Sequence, residues 1–270
     1  MSAMIELRGA SRLFSSRGGP VPALLPTDLV VTQGEFVCLV GPSGCGKSTV
    51  LNMVAGLLPP SAGRVSYGGA PVSGPNWRVG YMTQKDTLLP WRTVADNVGV
   101  ALELRIRRVG AAERARRVAD MIELVGLRGF ERHYPAQLSG GMRKRVALAR
   151  SLIYEPETLL MDEPFGALDA QLKLVMQGEL MRVAAASGVT VVFVTHDLGE
   201  AIALADRVLV FSGRPGRVKA ERTVPLPRPR DPARVRFTPE FAALHEELWE
   251  LLAPEVAPEM APGMAGEGVH

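Results

Sequence analysis

Residues Gly41-Pro42-Ser43-Gly44-Cys45-Gly46-Lys47-Ser48-Thr49 satisfy the pattern G-x-x-x-x-G-K-[S/T]. The apolar run Phe36-Val37-Cys38-Leu39-Val40 leads into them, and a helix-forming run from Val50 to Leu58 leads out. Strand, glycine-rich turn and helix form the context in which such a stretch is a phosphate-binding loop rather than an ordinary turn. The glycines let the backbone curl until successive N–H groups point at phosphate oxygens, and the helix adds its positive end. Lys47 is placed to reach the β- and γ-phosphates, and the Ser48 hydroxyl to ligate Mg²⁺. Every residue from Gly41 through Thr49 is thus a candidate nucleotide-binding residue, and the chain is expected to bind a nucleoside triphosphate.

At 270 residues, 47% hydrophobic and 22% charged, the chain has ordinary globular composition and enough length for one or two domains. Its longest strongly apolar runs, such as Val189 to Val194, fall far short of the ~20 residues that cross a bilayer. The N-terminus carries neither an apolar core nor a cleavage site of a secretory leader, so none is expected. Two cysteines, Cys38 and Cys45, make no disulfide framework and suit a reducing cytosol. A net charge of +3 permits anionic partners but does not argue for nucleic acid.

Working outward from the loop, Met4 to Arg8 alternates as a strand does, and Ser15 to Pro22 reads as a Gly/Pro/Ser loop. Phe14, upstream of Gly41, suits either stacking on an adenine ring or packing in a core. Leu29 to Val40 reads as strand, turn, strand, and Arg64 to Tyr81 as two further strands. These predict an antiparallel β-layer wrapped onto the core. From Thr93 to about Tyr154 helices dominate, one opening at Thr93 and one over Ala111 to Val125 with Gly126 as its stop. The arginines between Arg105 and Arg117 are interleaved with Glu103, Glu113 and Asp120, so they read as a solvated helical face.

Sheet character then returns. Thr158 to Asp162 and Val189 to Thr195 are short apolar strands, Arg207 to Phe211 and Val218 to Thr223 are expected edge strands, and helices separate them. Alternating β and α predicts a doubly wound parallel sheet, whose ligands sit at the carboxyl ends of the strands. Those ends carry the informative polar residues. Asp162 is placed to hold the Mg²⁺ shell and Glu163 to polarise the attacking water. His196 is placed to sense the γ-phosphate, and Gln84, at another strand end, to meet the Mg²⁺ and the water. Ser139-Gly140-Gly141, at the start of a helix over Arg143 to Tyr154, is a second anion cradle. Its place in the helical insertion suggests two chains, head to tail, each completing the other's site.

With these residues quoted, the chain resembles the ATP-binding subunit of an ABC transporter across nearly all of residues 4 to 225. The resemblance is carried by Gly41 to Thr49, Gln84, Leu138-Ser139-Gly140-Gly141, Leu159 to Asp162 with Glu163, Ala167-Leu168-Asp169 and His196, in order and at family-like spacing. It implies a P-loop NTPase of ABC ATPase type, an α/β fold with a mixed parallel core sheet, an antiparallel β-layer and an inserted α-helical subdomain. The cofactors implied are ATP and Mg²⁺, the metal being served by Ser48, Gln84 and Asp162. Glu163, His196 and Gln84 are the implied catalytic residues. Phe14 falls where the adenine-stacking aromatic usually sits, and Ser139, Gly140 and Gly141 would face the phosphate-binding loop of a second copy. The expected boundaries are 1–225 for the ATPase domain with its helical subdomain at about 92–155, 226–252 for a linker and short helix, and 253–270 for a disordered tail.

Within that family, Tyr81 to Trp91, Ser212 to Arg217 and Pro225 to Arg230 are similar to the nitrate/sulfonate/taurine importer group. That likeness implies a dimer on the cytoplasmic face of the inner membrane, integral-membrane permease subunits docked near Gln84 to Trp91, and an extracytoplasmic solute-binding protein as an indirect partner. Relatives acting on ribosomes or DNA typically carry two nucleotide domains or large inserted arms. This chain has one nucleotide domain, so no nucleic-acid partner is expected. It departs from the common pattern at Met142, Lys144 and Gly199, and Lys144 is expected to add charge near the dimer seam.

Overall fold

The computed structural model describes residues 2–16, 18–85, 87–104, 109–166 and 168–260. The first half of the chain runs β1 (Ala3–Ser16), β2 (Gly19–Thr32), β3 (Phe36–Val40), α1 (Lys47–Val54), β4 (Ala62–Tyr67), β5 (Ala70–Pro71), β6 (Val79–Met82), α2 (Val94–Gly99), α3 (Ala111–Leu124) and α4 (Gly140–Leu152). The second runs β7 (Thr158–Asp162), α5 (Ala170–Ser187), β8 (Thr190–Val194), α6 (Leu198–Leu204), β9 (Arg207–Phe211), β10 (Val218–Thr223) and α7 (Pro239–Met260). Six strands form the core sheet in the order β10-β9-β3-β8-β7-β6, and four form a second sheet in the order β2-β1-β4-β5. Pairing is parallel from β9 through β6, antiparallel between β9 and β10, and antiparallel throughout the second sheet.

Every residue of β3 and of β8 is buried, as a parallel sheet covered on both faces requires. Alternate side chains of these strands enter two different cores. Phe36, Cys38 and Val40 pack with Val191, Phe193, Met161 and α4 to α7; Val37 and Leu39 pack with Val192, Val194, α1 and the antiparallel sheet. A third cluster, including Val98, Leu102, Ile122 and Val146, belongs to the helical insert. Helix α4 joins two of them: Ala147, Leu148 and Leu152 face the sheet, whereas Val146, Ala149 and Ile153 face the insert.

Four expectations are corrected. Ser15 to Pro22 is not a loop: β1 continues to Ser16, β2 starts at Gly19, and Phe14 pairs with Val21. Pro20 and Pro22 are tolerated because β2 is an edge strand, where a missing N–H interrupts no ladder. The strand ending at Met82 leaves the antiparallel layer and pairs in parallel with β7, because Val79 and Met82 are apolar enough to be buried there. The strand β9 is interior, between β10 and β3, with Val208 to Phe211 buried.

The last correction concerns the C-terminal region. The segment after residue 225 is bolted down rather than free: Arg230 is buried and donates to the carbonyls of Val224, Leu226, Ile202 and Ala205, while Arg228 pairs with Asp206. Burial pushes the Arg230 guanidinium down to a pKa of about 10. Helix α7 does not stop at Leu252 but runs to Met260. It continues because Glu255 accepts from Gly213 N–H at 2.8 Å and pairs with Lys219 at 2.7 Å, while Val256 packs on the core. Residues 261–270 of the expected tail lie outside the described residues, as do Asp86, Arg105, Arg107, Arg108 and Ala167. Arg114, Arg116 and Arg117 do form the expected solvated face, paired with Glu103, Glu113 and Asp120.

Candidate functional site

The loop between β3 and α1 lines a cleft of 410 Å³. Gly46 caps α1 at φ 98°, and a Cβ there would lie 2.6 Å from Ala23 O, so only glycine fits. Lys47 is 5% exposed, and its ammonium donates to Gly41 O at 2.8 Å and to Pro42 O at 2.7 Å, which holds the charge inside the loop. Ser43, Gly44, Lys47, Ser48 and Thr49 line the floor; Phe14, Val21 and Pro22 form an apolar wall. The Phe14 ring is 40% exposed, and the Arg12 guanidinium lies 5.0 Å from its centroid. At that distance the pair is a cation–π contact on a ring that remains partly open to solvent.

Gln84, Asp162 and Glu163 line the same cleft. Burial raises the Asp162 carboxyl above its ordinary value, a hydrogen bond with Ser48 opposes it, and the Glu163 charge adds to it. Glu163 follows at the end of β7 with φ 46°, a left-handed conformation that costs a non-glycine residue about 1–3 kcal/mol. Its N–H is held by Val194 O of the neighbouring strand at 3.0 Å. The strained turn directs Glu163 Oε2 to accept from Gln84 Nε2 at 3.1 Å, with His196 Nδ1 3.5 Å away. Three residues from three strand ends, far apart in sequence, thus meet at one carboxylate oxygen.

His196 projects from between two fixed neighbours. Thr195 Oγ1 contacts Glu200 Oε2 and accepts from Asp197 N–H at 3.0 Å. Asp197 caps α6 by accepting from Glu200 N–H, and Lys173 of α5 pairs with Asp197 at 2.9 Å and Glu200 at 3.0 Å. Burial would raise the Asp197 carboxyl, but the Lys173 ammonium and the Glu200 N–H outweigh it and hold the group below its ordinary value.

The second anion cradle lies elsewhere. Ser139 caps α4, its hydroxyl accepting from Met142 N–H at 3.3 Å, and Gly141 packs so closely on α5 that a Cβ would lie 2.1 Å from Leu172. Ser139, Gly140 and Gly141 are not among the residues lining this cleft, and Ser139 and Gly140 are exposed. Lys144, expected to add charge near the dimer seam, turns its side chain inward within its own chain. It is 4% exposed, and its ammonium donates to Gln84 O, because its long stem reaches from α4 under the segment after β6.

The model of the ABC transporter family matches residues 24–166. The chain is 43% identical over 256 residues to an uncharacterized ABC transporter ATP-binding protein of Methanocaldococcus jannaschii, covering 95% of this chain and 94% of that one. It belongs to the ABC transporter family. Within that family it is 44% identical to the taurine import ATP-binding protein TauB of Burkholderia pseudomallei, over 91% of this chain and 95% of that one. It is also 44% identical to the aliphatic sulfonates import ATP-binding protein SsuB 2 of Burkholderia cenocepacia, over 91% and 86% of the two chains. The solved ATP-binding cassette MJ0796, in a dimeric post-hydrolysis state bound to ADP and Pi, superposes with a TM-score of 0.75 at 30% identity, covering 82% of this chain and 99% of that one. The fold is therefore that of an ABC ATPase, and the chain is an ATP-hydrolysing cassette of this family.

Two groups at this ABC ATPase site escaped the sequence reading. Arg214, quoted above only as part of a group-specific stretch, lines the nucleotide cleft. Lys173 and Glu200 brace the residues on either side of His196; the acid and base at helical spacing from Asp169 and Asp197 were the available signal, and it is a weak one.

Proposed function

We propose that this chain is the ATPase subunit of an importer for a small solute of the taurine, sulfonate or nitrate kind. Two copies would act as a sandwich dimer, peripheral to the cytoplasmic face of the inner membrane, with integral-membrane permeases as direct partners and an extracytoplasmic solute-binding protein as an indirect one. Among the described residues no helix is long and apolar enough to cross a membrane. The observation that carries the catalytic reading is the meeting of Gln84 and His196 on Glu163 Oε2 beside the phosphate-binding loop. In that reading Glu163 accepts a proton from the attacking water, Gln84 fixes the carboxylate, and His196 contacts the terminal phosphate. Gly41 through Thr49 hold the phosphates of ATP, and Phe14 stacks on the base.

The donor set suits Mg²⁺. Ser48 and Asp162, hydrogen-bonded to one another, and the Gln84 amide oxygen offer hard oxygen ligands on one side of the cleft. Among the described residues no group of three or more His, Cys, Asp or Glu residues is placed to hold a metal alone. When bound, Mg²⁺ would neutralise charge on those phosphates. Exposed Ser139 and Gly140, absent from their own chain's cleft, support the second copy as the source of the facing cradle.

Tagged Glu163→Gln tests the reading when purified with Mg-ATP from detergent-solubilised membranes. It is expected to retain ATP, elute as a dimer, bring down an integral-membrane permease, and turn over at least about 100-fold more slowly than wild type. Wild-type-like hydrolysis removes Glu163 as the base. A slow, ATP-bound dimer with no membrane partner removes the importer and leaves the ATPase.

A further inference from the structure

The segment Ser212 to Arg217 joins β9 to β10 and lies against the phosphate-binding loop. Arg214 Nε donates to Gly44 O at 2.6 Å. Gly216 approaches the next carbonyl so closely that a Cβ on it would lie 1.6 Å from Cys45 O. Two successive carbonyls of the loop therefore face this one segment. In a trans peptide the C=O of one residue and the N–H of the next point in opposite directions. Cys45 N–H and Gly46 N–H consequently both turn away from the segment, side by side, and successive N–H groups on one side make an anion-binding nest.

The segment is itself held from several sides. Ser212 N–H donates to Arg217 O at 3.0 Å, and Gly213 N–H to Glu255 of α7 at 2.8 Å. Leu25 N–H donates to Gly216 O at 2.8 Å, which ties the segment to β2. Arg214 is also exposed on the rim of the nucleotide cleft, where Phe14 stands in the apolar wall. It thus combines a fixed backbone, a charged donor on a loop carbonyl, and access to the cleft.

We propose that Arg214 is a positioning residue for the phosphates of a nucleoside di- or triphosphate. Its guanidinium fixes the Gly44–Cys45 peptide with the N–H groups of Cys45 and Gly46 converging inward, and offsets the negative end of the Gly44 carbonyl. This role rests on the ATP-binding reading above. Because the loop is formed before any chemistry, the contribution falls on binding of substrate and product alike. It therefore appears in KM and in the affinity for ADP, not in kcat.

Arg214→Ala is expected to raise the KM for ATP and the Kd for ADP about tenfold, the size of one charge-assisted hydrogen bond, with kcat within about twofold of wild type. Arg214→Lys, which returns an ammonium to the same carbonyl, is expected to recover at least about half of that loss on a logarithmic scale. Melting of the nucleotide-free Ala variant within about 2 °C of wild type confirms that the cradle, not the fold, has changed. An unchanged KM, a loss carried by kcat, or a Lys variant no better than Ala overturns the role. Wild-type protein that binds no ATP would sink the ATPase reading instead. Wild-type binding with an equally tight Arg214→Ala sinks only the assignment of Arg214.

Discussion

Two clusters grow from the same strand ends, and they are built in opposite ways. On the cleft side, Glu163 sits in a left-handed turn, and His196 is 64% exposed by side chain, with only a 3.5 Å approach to the carboxylate. One residue away on either side, Thr195 and Asp197 belong to a cluster with Lys173, Gln177 and Glu200 in which Glu200 is 3% exposed and takes contacts from three partners. The first cluster keeps charged and polar groups where a ligand can reach them and accepts backbone strain to do so. The second spends its polar groups on each other. The exposure of His196 is bounded by the fixed hydrogen bonds of its two neighbours. His196 has one loose side chain between two fixed ones.

Breaking the braced cluster is expected to have the largest effect on stability. Lys173→Met leaves the buried Glu200 carboxylate without its cation and should lower the unfolding free energy by about 3 kcal/mol in a denaturant titration. At temperatures where the variant stays folded, its kcat should fall by less than about tenfold, because no group at the cleft is removed. The open cluster gives the reverse pattern. His196→Ala should cost about 100-fold in kcat, near 2.7 kcal/mol, with little change in the denaturation midpoint of the free protein. A His196 variant that is strongly destabilised, or a Lys173 variant that is stable and inactive, would erase the distinction.

The smallest effect is in acid. The Asp197 carboxyl is held below its ordinary value, so its contribution to stability is present above the ordinary carboxylate pKa and is lost as pH falls through the depressed one. Asp197→Asn keeps a side-chain acceptor to cap α6 but removes the charge opposite Lys173. The melting temperature of this variant should start lower at pH 7 and fall less steeply below pH 4 than that of wild type.

The placement of the candidate site was legible because each of its residues follows a short apolar strand, and a strand end fixes direction as well as position. Gly41 to Thr49, Asp162, Glu163 and His196 are expected at strand ends on that ground, and the structure places them there. What was misread depends on neighbours that are distant in the chain. Pro20 and Pro22 look like breakers until the edge position of β2 removes the need for their N–H groups. Pro254 and Pro258 suggest a tail until Glu255 finds Lys219 and Gly213. Arg214 and Gly44 stand 170 positions apart, and no local pattern joins them. Lys144 was visible as a departure, but its direction was not, since a helix that packs on two cores can bury a face that looks polar.

That double membership of α4 also makes it a lever. Its sheet-facing residues, Ala147, Leu148 and Leu152, clamp the C-terminal half, while Ser139 stands free at the other end. Eight residues of helix separate Ser139 from Ala147, about 12 Å, so turning the insert by about 10° around that clamp carries the cap about 2 Å. Two ångströms is the difference between a hydrogen bond and no contact at all. In the dimer proposed above, the arm length of one helix would therefore set how small a rotation suffices to engage or withdraw the Ser139 cradle from the partner's phosphate-binding loop.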